Sequence, residues 1–279
     1  MIIFDFCIII FINFAVEVLK KNTMNNTVAK TITEEQLAEW YSKLEIGEDS
    51  CIDFYVDILK KYKAPMLEVN CGTGKILTRL QELGVYCDGL EASKEQLSIC
   101  SERLNAIGKE AQLFNADFSD VILPNKYNAI FIPHGTFCII ADIEKAKHCL
   151  DLFFSALENG GTLVLDVFVP WKAIEKHNDK CWKISRTYYD AKTGEDFVFS
   201  YFDDFDFASQ VRTTHLKYEI FCNGELVSVR FDVVRNHWYG NNELKLMLEK
   251  AGFDSVTSET VFYKSSDDYS TLFTASKLK

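Results

Sequence analysis

MLEVNCGTGKIL, residues Met66 to Leu77, is the stretch on which the reading of this chain turns. Met66-Leu67-Glu68-Val69 has the apolar density of a buried strand and Lys75-Ile76-Leu77 opens an amphipathic helix, so Asn70 to Gly74 form a strand-to-helix turn. Such a turn presents bare backbone to a ligand. Glycine is needed at Gly72 and Gly74 because a Cβ would collide with that ligand or forbid the φ the turn requires. Asn70 stands where loops of this kind usually carry their first glycine, and asparagine tolerates left-handed φ better than most residues.

Three nucleotide ligands compete for the loop. A phosphate-cradling GxxxxGK[ST] loop is excluded, because Val69 replaces its leading glycine and Ile76 its hydroxyl residue. A dinucleotide GxGxxG loop needs a third glycine where Leu77 stands, and leucine would hinder close packing against a pyrophosphate. The third ligand is an adenosyl sulfonium with no phosphate, whose ammonium group an acid at the loop would face. Its ribose needs an acceptor for two hydroxyls at the end of the next strand, and GVYCDGLEAS supplies Glu91. Its adenine needs an acceptor and an apolar wall, and FNADFSDV offers Asp117 beside Phe118. Taken singly, Glu91 and Asp117 read equally well as helix caps or solvated loop acids.

Outward from this loop the chain alternates short apolar runs with amphipathic ones. Strands are expected at Met66–Asn70, Val85–Glu91, Gln112–Asn115, Asn128–Pro133 and Thr162–Val169, and helices at Lys75–Leu83, Lys94–Ile107 and Ile143–Leu157. This order predicts an α/β, doubly wound, mostly parallel sheet of seven strands with helices on both faces. Upstream, TEEQLAEWYSKL reads as a helix with a threonine cap and apolar Leu37, Trp40 and Leu44, and Cys51–Tyr62 as a second. After Pro170 the pattern becomes an antiparallel β lobe. Its clearest hairpin turns at Asn223-Gly224, and pairing Cys222 with Glu225 sets Ile220 opposite Val227, Tyr218 opposite Val229 and Leu216 opposite Phe231. A second hairpin turns near Lys192-Thr193-Gly194. A helix at Asn242–Ala251 and strands at Val256–Tyr263 and Tyr269–Ala275 close the chain. The expected organisation is an apolar extension (1–23), a core (24–169), an inserted lobe over the acceptor site (170–240) and the last core elements (241–279).

The 279 residues carry a net charge of −11, which repels a phosphate backbone and argues against nucleic-acid partners. Nine cysteines with no CxxC pair indicate neither a disulfide framework nor a metal site, and several lie in apolar runs, as expected of free thiols in a reducing cytoplasmic compartment. The opening MIIFDFCIIIFINFAVEVL, followed by Lys20-Lys21, lacks the order of a signal peptide. Three readings stay open: an extension upstream of a true start at Met24, a docked helix, or a membrane anchor. Membrane contact is expected only if residues 1–19 are that anchor.

These segments together resemble the class I S-adenosylmethionine-dependent methyltransferases from about Tyr41 onward. Glu68 to Gly74 is similar to the family's first motif, Gly89-Leu90-Glu91-Ala92-Ser93 to its ribose motif and Ala116-Asp117-Phe118 to its adenine motif. Asn159-Gly160-Gly161 with Leu163 to Phe168 is similar to its fifth-strand signature. The resemblance implies a Rossmann-like fold and S-adenosylmethionine as cofactor, held by Glu68, Asn70, Cys71, Gly72, Gly74, Glu91, Ala92, Asp117 and Phe118. Trp40-Tyr41, Phe54-Tyr55 and the inserted lobe resemble the small-molecule branch, which includes glycine and nucleotide-sugar N-methyltransferases. By position, that branch makes Tyr41 a contact for the cofactor's methionine end.

Methyl transfer to a small-molecule nitrogen or oxygen depends chiefly on alignment and dryness, with a base in reach when the acceptor is a hydroxyl. His134, in FIPHGTFCII just after the fourth strand, is the candidate base, and its bland alternative is a histidine bonded to nearby backbone or simply solvated. Amino-sugar methyltransferases often carry a histidine five positions later, where this chain has Ile139. Trp171, Trp182, Trp238 and Tyr239 are candidate acceptor walls or core. Two further readings stay open: a scaffold that keeps the fold without turnover, and assembly as a homodimer.

Overall fold

The computed structural model describes residues 29–43, 49–176, 180–262 and 269–278. Residues 1–23, Met24 and Leu44, on which expectations were placed, lie outside the described residues. In chain order come β1 (Lys30–Thr31), α1 (Glu34–Lys43), α2 (Asp49–Leu59), β2 (Met66–Val69), α3 (Lys75–Glu82), β3 (Cys87–Glu91), α4 (Lys94–Ala106), β4 (Leu113–Asn115) and β5 (Tyr127–Ile132). A 3-10 turn (Thr136–Ile139) follows, then α5 (Ile143–Ala156), β6 (Leu157–Val167), α6 (Trp171–Glu175), β7 (Lys183–Asp190), β8 (Glu195–Asp206), β9 (Val211–Cys222), β10 (Glu225–His237), α7 (Asn241–Lys250), β11 (Ser255–Phe262) and β12 (Tyr269–Ser276).

Local chemistry explains the helix starts. Thr33 Oγ1 accepts the Gln36 N–H at 3.2 Å while Gln36 Oε1 accepts the Thr33 N–H at 3.0 Å, the reciprocal cap that opens α1. Ser93 caps α4 through the Gln96 N–H, and Asp142 caps α5 through the Lys145 N–H.

The core is a seven-stranded sheet in the order β11-β12-β6-β5-β2-β3-β4, with β2 to β6 parallel and β11 and β12 antiparallel beside them. One face packs Leu67, Val69, Ile130 and Leu163 against Phe153 and Leu248; the other packs Met66, Phe131 and Val164 against Leu59, Leu77 and Leu104. From β2 the chain winds outward through β3 and β4, then returns to β5 on the other side of β2. That reversal opens a crevice beyond the carboxyl ends of β2 and β5, where open α/β sheets bind ligands. Both the glycine loop and the His134 segment leave the sheet there.

The lobe is a five-stranded sheet, β1-β10-β9-β8-β7, antiparallel except where β1 joins β10. Its inner face, with Phe197, Phe199, Leu216, Tyr218, Ile220 and Val234, packs on Ile32, Leu37 and Trp40 at the chain's start, and Trp40 stacks on Phe197 at 4.7 Å. Enclosing each such side chain stabilises the contact by roughly 1.5–3 kcal/mol.

The predicted register of the second half of the lobe is corrected. Cys222 does pair with Glu225, but a bulge at Val227 moves each later residue of β10 by one, so Ser228 opposes Ile220, Arg230 opposes Tyr218 and Asp232 opposes Leu216. The bulge turns Phe231 and Val233 outward, 49% and 54% exposed, and brings the intervening polar residues to the inner face. That exchange is stable because Arg230 meets Glu34 of α1 at 2.7 Å and Asp232 at 2.8 Å, so the half-buried guanidinium is paired twice.

Deleting Val227 removes the bulge and leaves the observed pairing intact, so the variant is expected to fold with a melting temperature within a few degrees of wild type. A regular, unbulged hairpin would instead have all of β10 inverted by the deletion, and loss of a cooperative melt would show it.

Candidate functional site

Asn70, Gly72 and Gly74 hold φ of 57°, 56° and 78°, so the turn is left-handed at three positions, asparagine included. The glycines also answer a second constraint. A Cβ on Gly74 would stand 2.3 Å from Cys100 Sγ and one on Gly72 3.0 Å from Gln96 Oε1, so α4 as well as any ligand demands bare backbone. The loop is tied to β3 by the Cys71 N–H, which donates to the Leu90 carbonyl at 3.1 Å. The Gly72 N–H donates to Glu91 Oε2 at 3.1 Å.

Glu91 accepts the Ser93 N–H on its other oxygen at 2.8 Å. Burial raises its carboxyl to about 6, against the pull of these backbone amides. Asn115 joins the next loop by donating to the carbonyls of Glu91 at 3.1 Å and Ala92 at 2.7 Å. Asp117 is exposed and its Oδ1 caps the following turn, accepting from the Ser119 N–H and hydroxyl at 2.9 and 2.8 Å. Phe118 is buried in the core cluster beneath.

Beside the glycine loop stand buried polar atoms that the protein leaves unbonded. Glu68 is enclosed, its carboxyl is pushed well above the ordinary range by burial, and its Oε2 has no partner in the protein. Both amide atoms of Asn70 are likewise buried and unpartnered. Each such atom costs about 1–3 kcal/mol unless something meets it.

Across the crevice, His134 has φ 61° and Gly135 φ 64°, two consecutive left-handed residues. The His134 N–H donates to the Tyr55 hydroxyl at 2.8 Å, and that hydroxyl donates to Asp166 Oδ1 at 2.7 Å. The two rings meet edge to face at 4.9 Å. Burial, aided by the Lys75 charge, lowers the imidazole to about 4, so it is neutral at physiological pH. Sequence reasoning missed this link between α2, β6 and the His134 turn. A usable signal was an aspartate inside the apolar run LVLDVF, since a carboxyl in a buried strand requires a bonded partner.

Tyr41 points its hydroxyl to that of Tyr218, 2.7 Å away, and burial raises its pKa to about 12. The candidate walls scatter. Trp182 meets Phe202 and Phe231 on the outer side of the lobe, Trp171 is half exposed, Trp238 lies by Phe205, and Tyr239 is enclosed with its hydroxyl on the Ile140 carbonyl at 2.8 Å.

A family model described as a methyltransferase domain matches residues 66–161, the span that carries the loop, Glu91 and His134. That likeness covers about a third of the chain. A Geobacillus sp. (strain WCH70) protein, GWCH70_2453, provisionally named a methyltransferase, is 24% identical over 147 residues, half of this chain and 60% of that relative. Among solved structures, an S-adenosylmethionine-dependent methyltransferase from Clostridium acetobutylicum ATCC 824 superposes with TM-score 0.68 at 15% identity, over 88% of this chain and 98% of the other. The sugar N-methyltransferase KedS8 from Streptoalloteichus sp ATCC 53650 gives 0.68 at 16% identity, over 96% and 100%. These likenesses, all below 25% identity, show the fold of the chain. The donor set at its loop suits the family's cofactor: a carboxyl oxygen and an amide without partners are what a zwitterionic amino-acid tail would satisfy.

Tyr55→Phe removes the hydroxyl between Asp166 and the His134 backbone and is expected to lower unfolding free energy by about 1–3 kcal/mol. Urea denaturation checks this, and an unchanged midpoint would contradict the assigned role.

Proposed function

We propose that this protein methylates a nitrogen of a small molecule, with S-adenosylmethionine as donor. The observation that carries the reading is the convergence, at one sheet edge, of the unbonded Glu68 and Asn70 groups, Glu91 and the neutral His134. Glu68, Asn70 and the Cys71–Gly74 backbone would hold the cofactor's amino-acid end, Glu91 its ribose, and Ala92, Asp117 and Phe118 the region of its adenine. When bound, the cofactor supplies a sulfonium methyl group open to in-line displacement.

The protein's own part is alignment and water exclusion. Tyr55, held by Asp166, fixes the His134 backbone in its left-handed turn. The imidazole there is a weak base with a free lone pair, which orients an amine N–H and receives its proton transiently. Such a base serves an amine, whose nitrogen already carries a lone pair, better than an alcohol, which needs deprotonation. KedS8 is named a sugar N-methyltransferase, and an amino-sugar acceptor class is brought here on that likeness, with Ile139 rather than histidine at the later loop position. The net charge of −11 supports a small acceptor and no nucleic acid. Free thiols at Cys71, Cys87, Cys100, Cys138 and Cys149 support a cytoplasmic setting, and among the described residues no helix is long and apolar enough to cross a membrane.

Release of S-adenosylhomocysteine, read by mass spectrometry against a panel of amino sugars, other small amines and matching alcohols, tests the activity. Release with amines is expected. His134→Ala is expected to lower kcat at least tenfold while S-adenosylhomocysteine affinity stays within about threefold. Cofactor binding without release on any acceptor would leave a scaffold, and NADH binding in its place would end the reading.

Glu91 adds a pH signature. Its folded pKa of about 6 lies above the ordinary 4.5, so the ionised form opposes folding and its stabilising contribution declines as pH rises from about 4.5 to 6. Ribose hydroxyls donate to the ionised form. Affinity for S-adenosylhomocysteine is therefore expected to be full above pH 6 and to fall as pH drops through it, approaching tenfold per unit. Calorimetric titration at pH 5 to 7.5 should show this slope in wild type and a flat profile in Glu91→Gln; identical profiles would remove Glu91 from the ribose site.

A further inference from the structure

The inner face of the lobe changes character along its length. Around Phe197, Leu216, Tyr218 and Ile220 it is apolar and covers the chain's start. Toward the last residues of β10 it turns polar, and that strand packs on the 3-10 turn that follows His134 and Gly135. Tyr239 fixes the seam, with its ring 5.1 Å from Phe137 and its hydroxyl on the Ile140 carbonyl at 2.8 Å. Side chains two apart on a strand share a face, so Asn236 stands on the same side as the inward Val234, and the register sets it opposite Arg212 of β9.

The neighbours of Asn236 on this face are satisfied. Arg212 donates through Nε to Asp203 Oδ1 at 2.9 Å and to Thr214 Oγ1 at 3.0 Å, and Thr214 closes the ring by donating to the same Asp203 oxygen at 2.7 Å. Asn236 differs. It is only 4% exposed, and neither its amide oxygen nor its amide nitrogen has a hydrogen-bond partner among the described residues. Buried amides are nearly always bonded, so one left unbonded at both atoms points to a partner from outside the chain.

We propose that Asn236 recognises the methyl acceptor, and that the group it takes is an uncharged hydroxyl on a carbon next to the one that carries the reacting amine. The inference rests on the small-amine reading above and narrows it. A side-chain amide offers a donor and an acceptor together, and a hydroxyl, which also donates and accepts, meets both. An ammonium meets only the oxygen. A carboxylate or phosphate meets only the nitrogen and stands near the Asp203 carboxyl, while Arg212, already paired with that acid, has no uncompensated charge to draw an anion in. The 3-10 turn is shared between the two recognition groups, since His134 leads into it and the strand of Asn236 rests on it. An acceptor lying across the turn shows its amine to one and its hydroxyl to the other.

The test measures S-adenosylhomocysteine release by the full chain for two matched pairs, trans-2-aminocyclohexanol against cyclohexylamine and glucosamine against 3-deoxyglucosamine. Wild type is expected to favour the hydroxylated member at least tenfold in kcat/KM, chiefly through KM. Asn236→Ala is expected to bring that ratio to within about threefold of one, with the Kd for S-adenosylhomocysteine changed less than about threefold. Asn236→Leu replaces the unbonded amide by an apolar side chain of similar reach, so the acceptor-free protein is expected to melt a few degrees higher. No hydroxyl preference in wild type, or an unchanged ratio in Asn236→Ala, overturns the proposal and leaves the amine reading standing. A lower melting temperature in Asn236→Leu also overturns it, because the amide would then be holding the fold. Release with none of the four sinks the proposal alone if other amines of the panel are methylated, and sinks the amine reading with it if none is.

Discussion

The hydrogen bond from the Gly72 N–H to the Glu91 carboxyl is the constraint on which the site depends. It joins the end of β3 to the loop after β2, and through the Ser93 N–H the same carboxyl sets the start of α4. α4 then supplies Gln96 and Cys100, the side chains that crowd a Cβ on Gly72 and block one on Gly74. One enclosed acid thus organises two loops and a helix. Its raised pKa measures how poorly water reaches it.

Opposite this acid, a second buried group does comparable work. Asp166 lies within β6, and Tyr55 carries its influence to the backbone of His134. The strained turn is held by a strand and a helix as well as by Thr136, whose N–H and hydroxyl both donate to the Pro133 carbonyl, as positions in sparsely populated φ/ψ space require. The crevice is therefore framed by rigid elements on both sides, and the His134 imidazole beside it is kept neutral by enclosure.

Much of this was legible in the sequence, and the losses have physical causes. The strands at Met66 and Asn128, the helices at Lys75, Lys94 and Ile143, and the glycine turn followed from periodicity, which is local. Asn70 in left-handed φ followed from asparagine's own tolerance. The lobe register failed at Val227 because a bulge is decided by what each face meets, here Glu34 of α1 against Arg230, and alternating polarity does not report a partner so distant in the chain. The link among Tyr55, Asp166 and His134 escaped for the same reason: they are far apart in sequence and adjacent only once the sheet exists. The need for glycine at Gly74 was legible, but the Cys100 sulfur that enforces it was not.

The pairing of β1 with β10, Lys30 to Ser228 and Thr31 to Val229, bears on how the molecule is made. On the ribosome, α1 is complete long before the sheet it packs on exists. At roughly 5–20 residues per second, Ile32, Leu37 and Trp40 wait about ten to forty seconds for Phe197 through Val234 to emerge. The core around β2 to β6 needs no such wait, since its strands arrive in close succession. Closure of the lobe is thus a late, long-range event, and until it happens the apolar stripe of α1 lacks the sheet that buries it.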